Sequence, residues 1–259
     1  MWIPKLVLKG FYNFMLLGLP TATYNPLNGK SIFHAPVKID STSTYINYKI
    51  PKKKFNIINK HIKNYNRDLS LIPTRIASDQ ADYYISINIY NCSSPIFNSV
   101  TSEPVTRCEI NTYVVNEKGE EGTLIMDYTS NFLSLDPVNI FKRKGMCDFK
   151  KDKNKYILYA KNENFELNGK FLRNEDKDFG ILLNKKIIAH TDNIFYLNGI
   201  CDKLYYDSSL VKSSIRLPNN IEGISFSFLD IEFNHIDSVF YFAEPLNFVG
   251  AIWSNLYES

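Results

Sequence analysis

Four polar side chains alternate along one short stretch, Arg107, Glu109, Asn111 and Tyr113, with Cys108, Ile110, Thr112 and Val114 between them. In an extended strand successive side chains leave opposite faces, so the polar four share one face and the other four its reverse. If that polar face lines a barrel interior, Glu109 can orient a substrate, hold an arginine and act as acid or base, with Arg107, Asn111 and Tyr113 as binding groups. If it faces water, the same residues are ordinary surface groups. Farther along, Lys150 and Lys151 form an adjacent pair in a run that also holds Lys142, Arg143 and Lys144. By composition alone such a run reads as a solvated loop.

The elements that must position these groups are mostly strands. Residues 107–115 and 123–128 read as an antiparallel pair, and 116–122 supplies glycines where a hairpin loop needs positive φ. Residues 44–50 and 82–92 alternate as half-buried strands do. In the second of these Tyr84, Ser86, Asn88 and Tyr90 share one face and Ile85, Ile87 and Ile89 the other. Residues 156–161, 164–167, 179–183, 186–190, 194–197, 224–228 and 238–242 are further strand candidates, with turns at Asn168-Gly169 and Asn219-Asn220. Residues 52–64 have helical spacing, with Phe55, Ile58 and Ile62 on one side and lysines opposite. Asp136-Pro137 is an N-cap followed by proline, which predicts a short helix toward Lys144 that Gly145 ends. Many short strands and few helices predict a mainly β, α+β architecture: one antiparallel sheet curled into a barrel or cone with an internal cavity.

Length and composition fit that architecture. The 259 residues, 44% apolar and 14% aromatic, suffice for a sizeable core and are read as a single domain over residues 1–259. Thirty basic and 27 acidic residues give a net charge of +3 with no basic stripe, which argues against nucleic acid. Residues 6–19 are apolar, but Lys9 and Asn13 interrupt them, so no membrane span is expected there; a weak signal-like character remains. Cys92, Cys108, Cys147 and Cys201 are widely spaced, which suggests reduced thiols in a cytoplasmic protein. His34, His61, His190 and His235 lack metal-site spacing, and His61 sits among lysines on an expected exposed helix face. No phosphate-binding or nucleophile-elbow motif occurs, so neither metal nor cofactor is expected. The aromatics between Phe226 and Trp253 read as core, or equally as the wall of an apolar ligand cavity.

The order of elements, and above all the run Arg107-Cys-Glu-Ile-Asn-Thr-Tyr-Val, Gly119, Gly122-Thr-Leu-Ile-Met-Asp-Tyr, Asp136-Pro137-Val and Arg143, resembles the acetoacetate decarboxylase-like superfamily. Trp2, Leu8 and Gly10 before an apolar strand fit its opening. The resemblance implies a closed or cone-shaped antiparallel barrel with an internal pocket. In the decarboxylases of that superfamily a lysine forms a Schiff base with a β-keto acid, and the iminium then acts as the electron sink while carbon dioxide leaves. Such an amine must be neutral, which burial beside a second cation favours. Matching the superfamily's arginine to Arg143 brings its lysine pair onto Lys150 and Lys151; separately, the resemblance implies that Glu109 corresponds to its interior glutamate. Lys142 and Lys144 stand where the motif has Gly and Glu, and Asp148-Phe149 where it has Phe-Pro.

Three functions follow as expectations. The first is a lyase that decarboxylates a small keto acid through Lys150 or Lys151, with Arg143 among its binding groups. The second is a related barrel enzyme that uses Glu109 as acid or base without a Schiff base. The third is a non-catalytic carrier of a small apolar or organic-acid ligand. A homo-oligomer is left open.

Overall fold

Alternation is the strongest signal in this chain, and it becomes strand wherever one face can be buried. A computed structural model describes residues 22–25, 30–39, 43–76, 80–93, 105–131, 145–153, 155–172, 195–197, 203–206, 215–216, 220–242 and 246–255. The strands are β1 (Ala22–Asn25), β2 (Lys30–Ile39), β3 (Thr44–Lys49), β4 (Ser70–Leu71), β5 (Tyr84–Ser93), β6 (Val105–Val115), β7 (Glu121–Ser130), β8 (Met146–Asp152) and β9 (Lys155–Lys161). They continue with β10 (Phe165–Leu172), β11 (Phe195–Leu197), β12 (Lys203–Tyr206), β13 (Ile215–Arg216), β14 (Asn220–Phe228), β15 (Ile231–Phe233), β16 (Ile236–Phe242) and β17 (Leu246–Asn255). One helix, α1 (Phe55–Tyr65), follows a 3-10 turn at Lys52–Lys54.

The described strands form two sheets. The 12-stranded sheet runs β1-β2-β17-β12-β11-β7-β6-β5-β3-β16-β13, with β4 added on β6 and a second pairing of β2 to β5. The 5-stranded sheet runs β15-β14-β10-β9-β8. The chain is thus mainly β and its described pairings are antiparallel, except that β11 lies parallel to β7. No closed barrel is assigned among the described residues.

The two faces of the large sheet differ sharply. Register pairs Ile87 with Ile110 and Ile89 with Cys108, so β5 and β6 present one apolar surface. Onto it pack Ile58 and Ile62 of α1 and the inner residues of the small sheet, Phe149, Tyr156, Leu158, Leu167, Phe171, Phe226 and Phe228 among them, in one hydrophobic cluster. Burying each such side chain stabilises by about 1.5–3 kcal/mol. The reverse face carries the polar row.

Several expectations change. His61, expected on an exposed helix face, is half-buried, with its ring edge-on to Tyr65 at 4.5 Å and to Phe228 at 5.6 Å. The reason is helical period: 58, 61, 62 and 65 fall on one face, and Ile58 and Ile62 set which way it points. Asn168-Gly169, expected as a turn, is a register shift inside β10. A Cβ on Gly169 would lie 2.7 Å from Ile224 Cα, so the glycine permits close approach of β14 rather than reversing the chain. In the β6–β7 loop Gly119 alone takes positive φ, at 80°, while Gly122 lies in β7. The predicted helix at 136–144, the strands at 179–183 and 186–190, and the segment 6–19 lie outside the described residues. So do Trp2 and Cys201, and the side chains of His34 and Cys92.

Candidate active site

Strand β6 sits between β5 and β7, and its polar alternate residues are buried rather than wet. Arg107 is 1% exposed and Glu109 6%. Two positions apart on one face, they meet directly: Arg107 Nε donates to Glu109 Oε1 at 2.6 Å. The same oxygen accepts from Tyr90 OH at 2.8 Å. Tyr90 faces Arg107 across the β5–β6 register and Tyr128 faces Glu109 across the β6–β7 register, so neighbouring strands bring both rings to the pair. The guanidinium carbon lies 3.9 Å from the Tyr128 ring centroid, a cation–π contact. Burial works against charge on Arg107, but the carboxylate of Glu109, with Tyr90 and Tyr128, outweighs it and holds the proton more tightly than usual. Burial pushes the Tyr128 hydroxyl up to about 12 despite the opposing pull of Arg107.

Farther along the same face the groups are neutral. Ser86 Oγ donates to Asn47 Oδ1 at 2.6 Å and lies 3.1 Å from Tyr113 OH, while Asn47 Nδ2 donates to Ser238 Oγ at 3.1 Å. Asn88 Nδ2 donates to Tyr45 OH at 3.0 Å, and Asn88 Oδ1 accepts from Ser43 Oγ at 3.1 Å. Burial raises the Tyr113 hydroxyl, with its Ser86 bond acting the other way. Asn111 joins this buried row, so Arg107, Glu109, Asn111 and Tyr113 share one face of β6 and are all buried.

The lysine pair is elsewhere. Lys150 and Lys151 lie on β8, the edge of the small sheet, and both are exposed. The Lys150 side chain is 69% exposed and its Nζ sits 2.6 Å from Asp148 Oδ2. An amine in water beside a carboxylate meets neither condition that favours a neutral lysine, which are burial and a neighbouring cation. The Schiff-base role that the resemblance implies for these two residues is therefore not matched by their surroundings. The physical reason is local: β8 alternates Cys147 and Phe149 inward, which turns Asp148 and Lys150 outward, and Lys151 lies beyond the covered part of the strand. Arg143 lies outside the described residues.

Tyr90, Tyr128, Ser86 and Asn47 belong to the polar row although sequence reasoning named none of them as site residues. For Ser86 and Tyr90 the signal was present in the alternation of β5, where Ser86, Asn88 and Tyr90 share a face; Asn47 on β3 and Tyr128 on β7 join the row only through strand register. Cys108 and Cys147 are buried free thiols, and burial pushes the Cys147 thiol up to about 12. Among the described residues no three His, Cys, Asp or Glu side chains gather as a metal site, and no helix is long and apolar enough to cross a membrane.

Comparison with known proteins bears on the fold. No family model matches the sequence, and no curated protein matches it. Among solved structures, the acetoacetate decarboxylase of Legionella pneumophila subsp. pneumophila str. Philadelphia 1 aligns with a TM-score of 0.54 at 12% identity, over 93% of this chain and 92% of that one. A further structure from structural studies of acetoacetate decarboxylase aligns with a TM-score of 0.42 at 10% identity, over 84% and 86% of the two chains. The β-rich architecture described above, with its two largely antiparallel sheets, is the acetoacetate decarboxylase-like fold.

Proposed function

We propose that this chain acts on a small carbonyl compound, a keto acid or related organic acid, with Glu109 as acid or base and without a lysine Schiff base. The observation that carries the reading is the fixing of one buried carboxylate oxygen by two donors, Arg107 Nε and Tyr90 OH. A buried ion pair is seldom a net stabiliser relative to packed apolar residues, so its presence in the middle of a sheet calls for another role. With Oε1 engaged, the reading assigns proton transfer to Oε2, and the guanidinium keeps the carboxylate aimed.

The reading includes an enclosed pocket. Pairings lead from β5 through β6, β7, β11, β12, β17 and β2, and Lys38 and Ile39 of β2 pair back to Ser93 and Cys92 of β5. Such a circuit supports a barrel whose inner wall is the polar face of β5 and β6. A decarboxylase reading through Lys150 or Lys151 has the fold in its favour and the exposure of both amines against it.

The test pairs two measurements. Borohydride added in the presence of acetoacetate should leave Lys150 and Lys151 unmodified. Exchange of α-protons of small keto acids into deuterated water, followed by NMR, should fall about 100-fold or more in Glu109→Gln and persist in Lys150→Ala. A trapped lysine adduct, or exchange indifferent to Glu109→Gln in a folded variant, would sink the proposal.

A further inference from the structure

At the neutral end of the polar face two buried oxygens stand out. Asn111 Oδ1 and Thr123 Oγ1 have no hydrogen-bond partner among the described residues, although Asn111 is only 2% exposed and Thr123 3%. They are close neighbours by register. Asn111 faces Ile125 and Tyr113 faces Thr123 across β6 and β7, so Asn111 and Thr123 are diagonal residues on one face, with Cα atoms about 7–8 Å apart.

A bulge frames the pair. The β6–β7 register jumps from Ile110↔Asp127 to Asn111↔Ile125, which leaves Met126 as the extra residue beside Asn111. A bulge of this kind re-aims the side chains next to it and is over-represented beside binding sites. Each buried polar atom left without a partner costs about 1–3 kcal/mol; Asn111 Oδ1 can only accept and the Thr123 hydroxyl can accept or donate, so one donor group between them satisfies both.

The surroundings select the kind of donor. Toward one side Tyr113 and Ser86 are already bonded to each other, and Asn47 to Ser86. Toward the other, Arg107 and Glu109 neutralise one another. No uncompensated charge of either sign borders the two oxygens among these groups, so an ion placed there would be desolvated without a counter-charge.

We propose that Asn111 and Thr123 form the polar end of a ligand subsite that takes a neutral hydrogen-bond donor, a primary amide or a hydroxyl, rather than a carboxylate. The inference rests on the reading of Glu109 as the reactive group and adds to it a substrate class. Glu109 and Asn111 are two residues apart in a strand, about 7 Å, a span that one small ligand can bridge.

Acetamide and acetone, nearly equal in size, differ in the N–H donor. In crystals soaked with acetamide its nitrogen is expected within hydrogen-bond distance of Asn111 Oδ1 and Thr123 Oγ1, and in acetone-soaked crystals this position should hold no ketone. The Asn111→Leu, Thr123→Val double variant should lose the acetamide. Water alone at both oxygens, acetone seated equally well, acetamide retained by the double variant, or an adventitious additive only, held by a neighbouring molecule, would each overturn the assignment. If the double variant fails to fold, the contrast between the two probes in the unaltered protein still decides. The two readings fail separately: absent acetamide with intact Glu109-dependent exchange removes only the subsite, and seated acetamide with exchange indifferent to Glu109→Gln removes only the acid-base role.

Discussion

Two single side chains show how burial on the apolar face sets stability. Tyr48 is fully buried against Phe226 and Phe233, and its hydroxyl has no partner among the described residues. Burial raises that hydroxyl's pKa far above its ordinary value, the mark of a polar atom in an apolar place. Tyr48→Phe removes the atom and keeps the ring, so thermal unfolding of the variant should show stability unchanged or higher by about 1 kcal/mol. His61 behaves as a titrating version of the same problem. Burial lowers its pKa and Asp127 only partly offsets this, so the unfolded chain binds a proton near pH 6.5 that the folded chain resists. Its share of stability is therefore full above the ordinary value and is lost as pH falls below it. Melting temperatures taken from about pH 7.5 down to about pH 5.5 should drop less steeply in His61→Phe than in the unaltered protein. Equal slopes would show that His61 is not the group responsible.

At the scale of elements, the hairpin β6–β7 was legible because alternation, a glycine turn and complementary faces all agree. The loop confirms the turn chemistry: Asn116 Oδ1 accepts from the backbone of Lys118 and Glu120, and Gly119 supplies the positive φ. Strand β8 was not legible, because its seven residues hold only two inward apolar side chains and end in three charged ones. β2 and β17 were missed for other reasons: Pro36 interrupts the first, and the second is an apolar run without period. What locks the start of β8 is a contact that sequence does not display. The Gly145 backbone N–H donates to Ser130 O, and a Cβ on Gly145 would collide with Thr129 Oγ1. Gly145→Ala should therefore destabilise by about 1–3 kcal/mol in chemical denaturation, with part of the loss restored when Thr129→Ala is added. A double variant no more stable than Gly145→Ala would point away from this contact.

For the whole molecule, the central question is what couples the two sheets, and apolar packing is only part of the answer. Asp127 lies on β7 of the large sheet, buried, and reaches the β9–β10 turn of the small one: Oδ2 accepts from Asn164 Nδ2 at 2.7 Å and Oδ1 from Asn162 Nδ2 at 3.2 Å. Asn162 in turn holds the turn itself, its Oδ1 accepting from the backbone N–H of Asn164 and Phe165. Sequence could not expose this link, since Asp127 stands about 35 residues from its partners and nothing local marks it. The site depends on the coupling, because the small sheet covers the apolar face of β5, β6 and β7 while the polar row occupies their reverse. Asp127→Ala leaves the Asn164 amide without this acceptor and Asn162 Nδ2 with only its 3.3 Å bond to Tyr128 O, and should cost about 1–3 kcal/mol. Its signature should be uneven. In native-state hydrogen exchange, the amides of β9 and β10 should open at lower free energy than those of β5 and β6, which the unaltered protein should release together. A uniform loss of protection across both sheets would mean that the hydrophobic cluster alone joins them and that Asp127 only trims the edge.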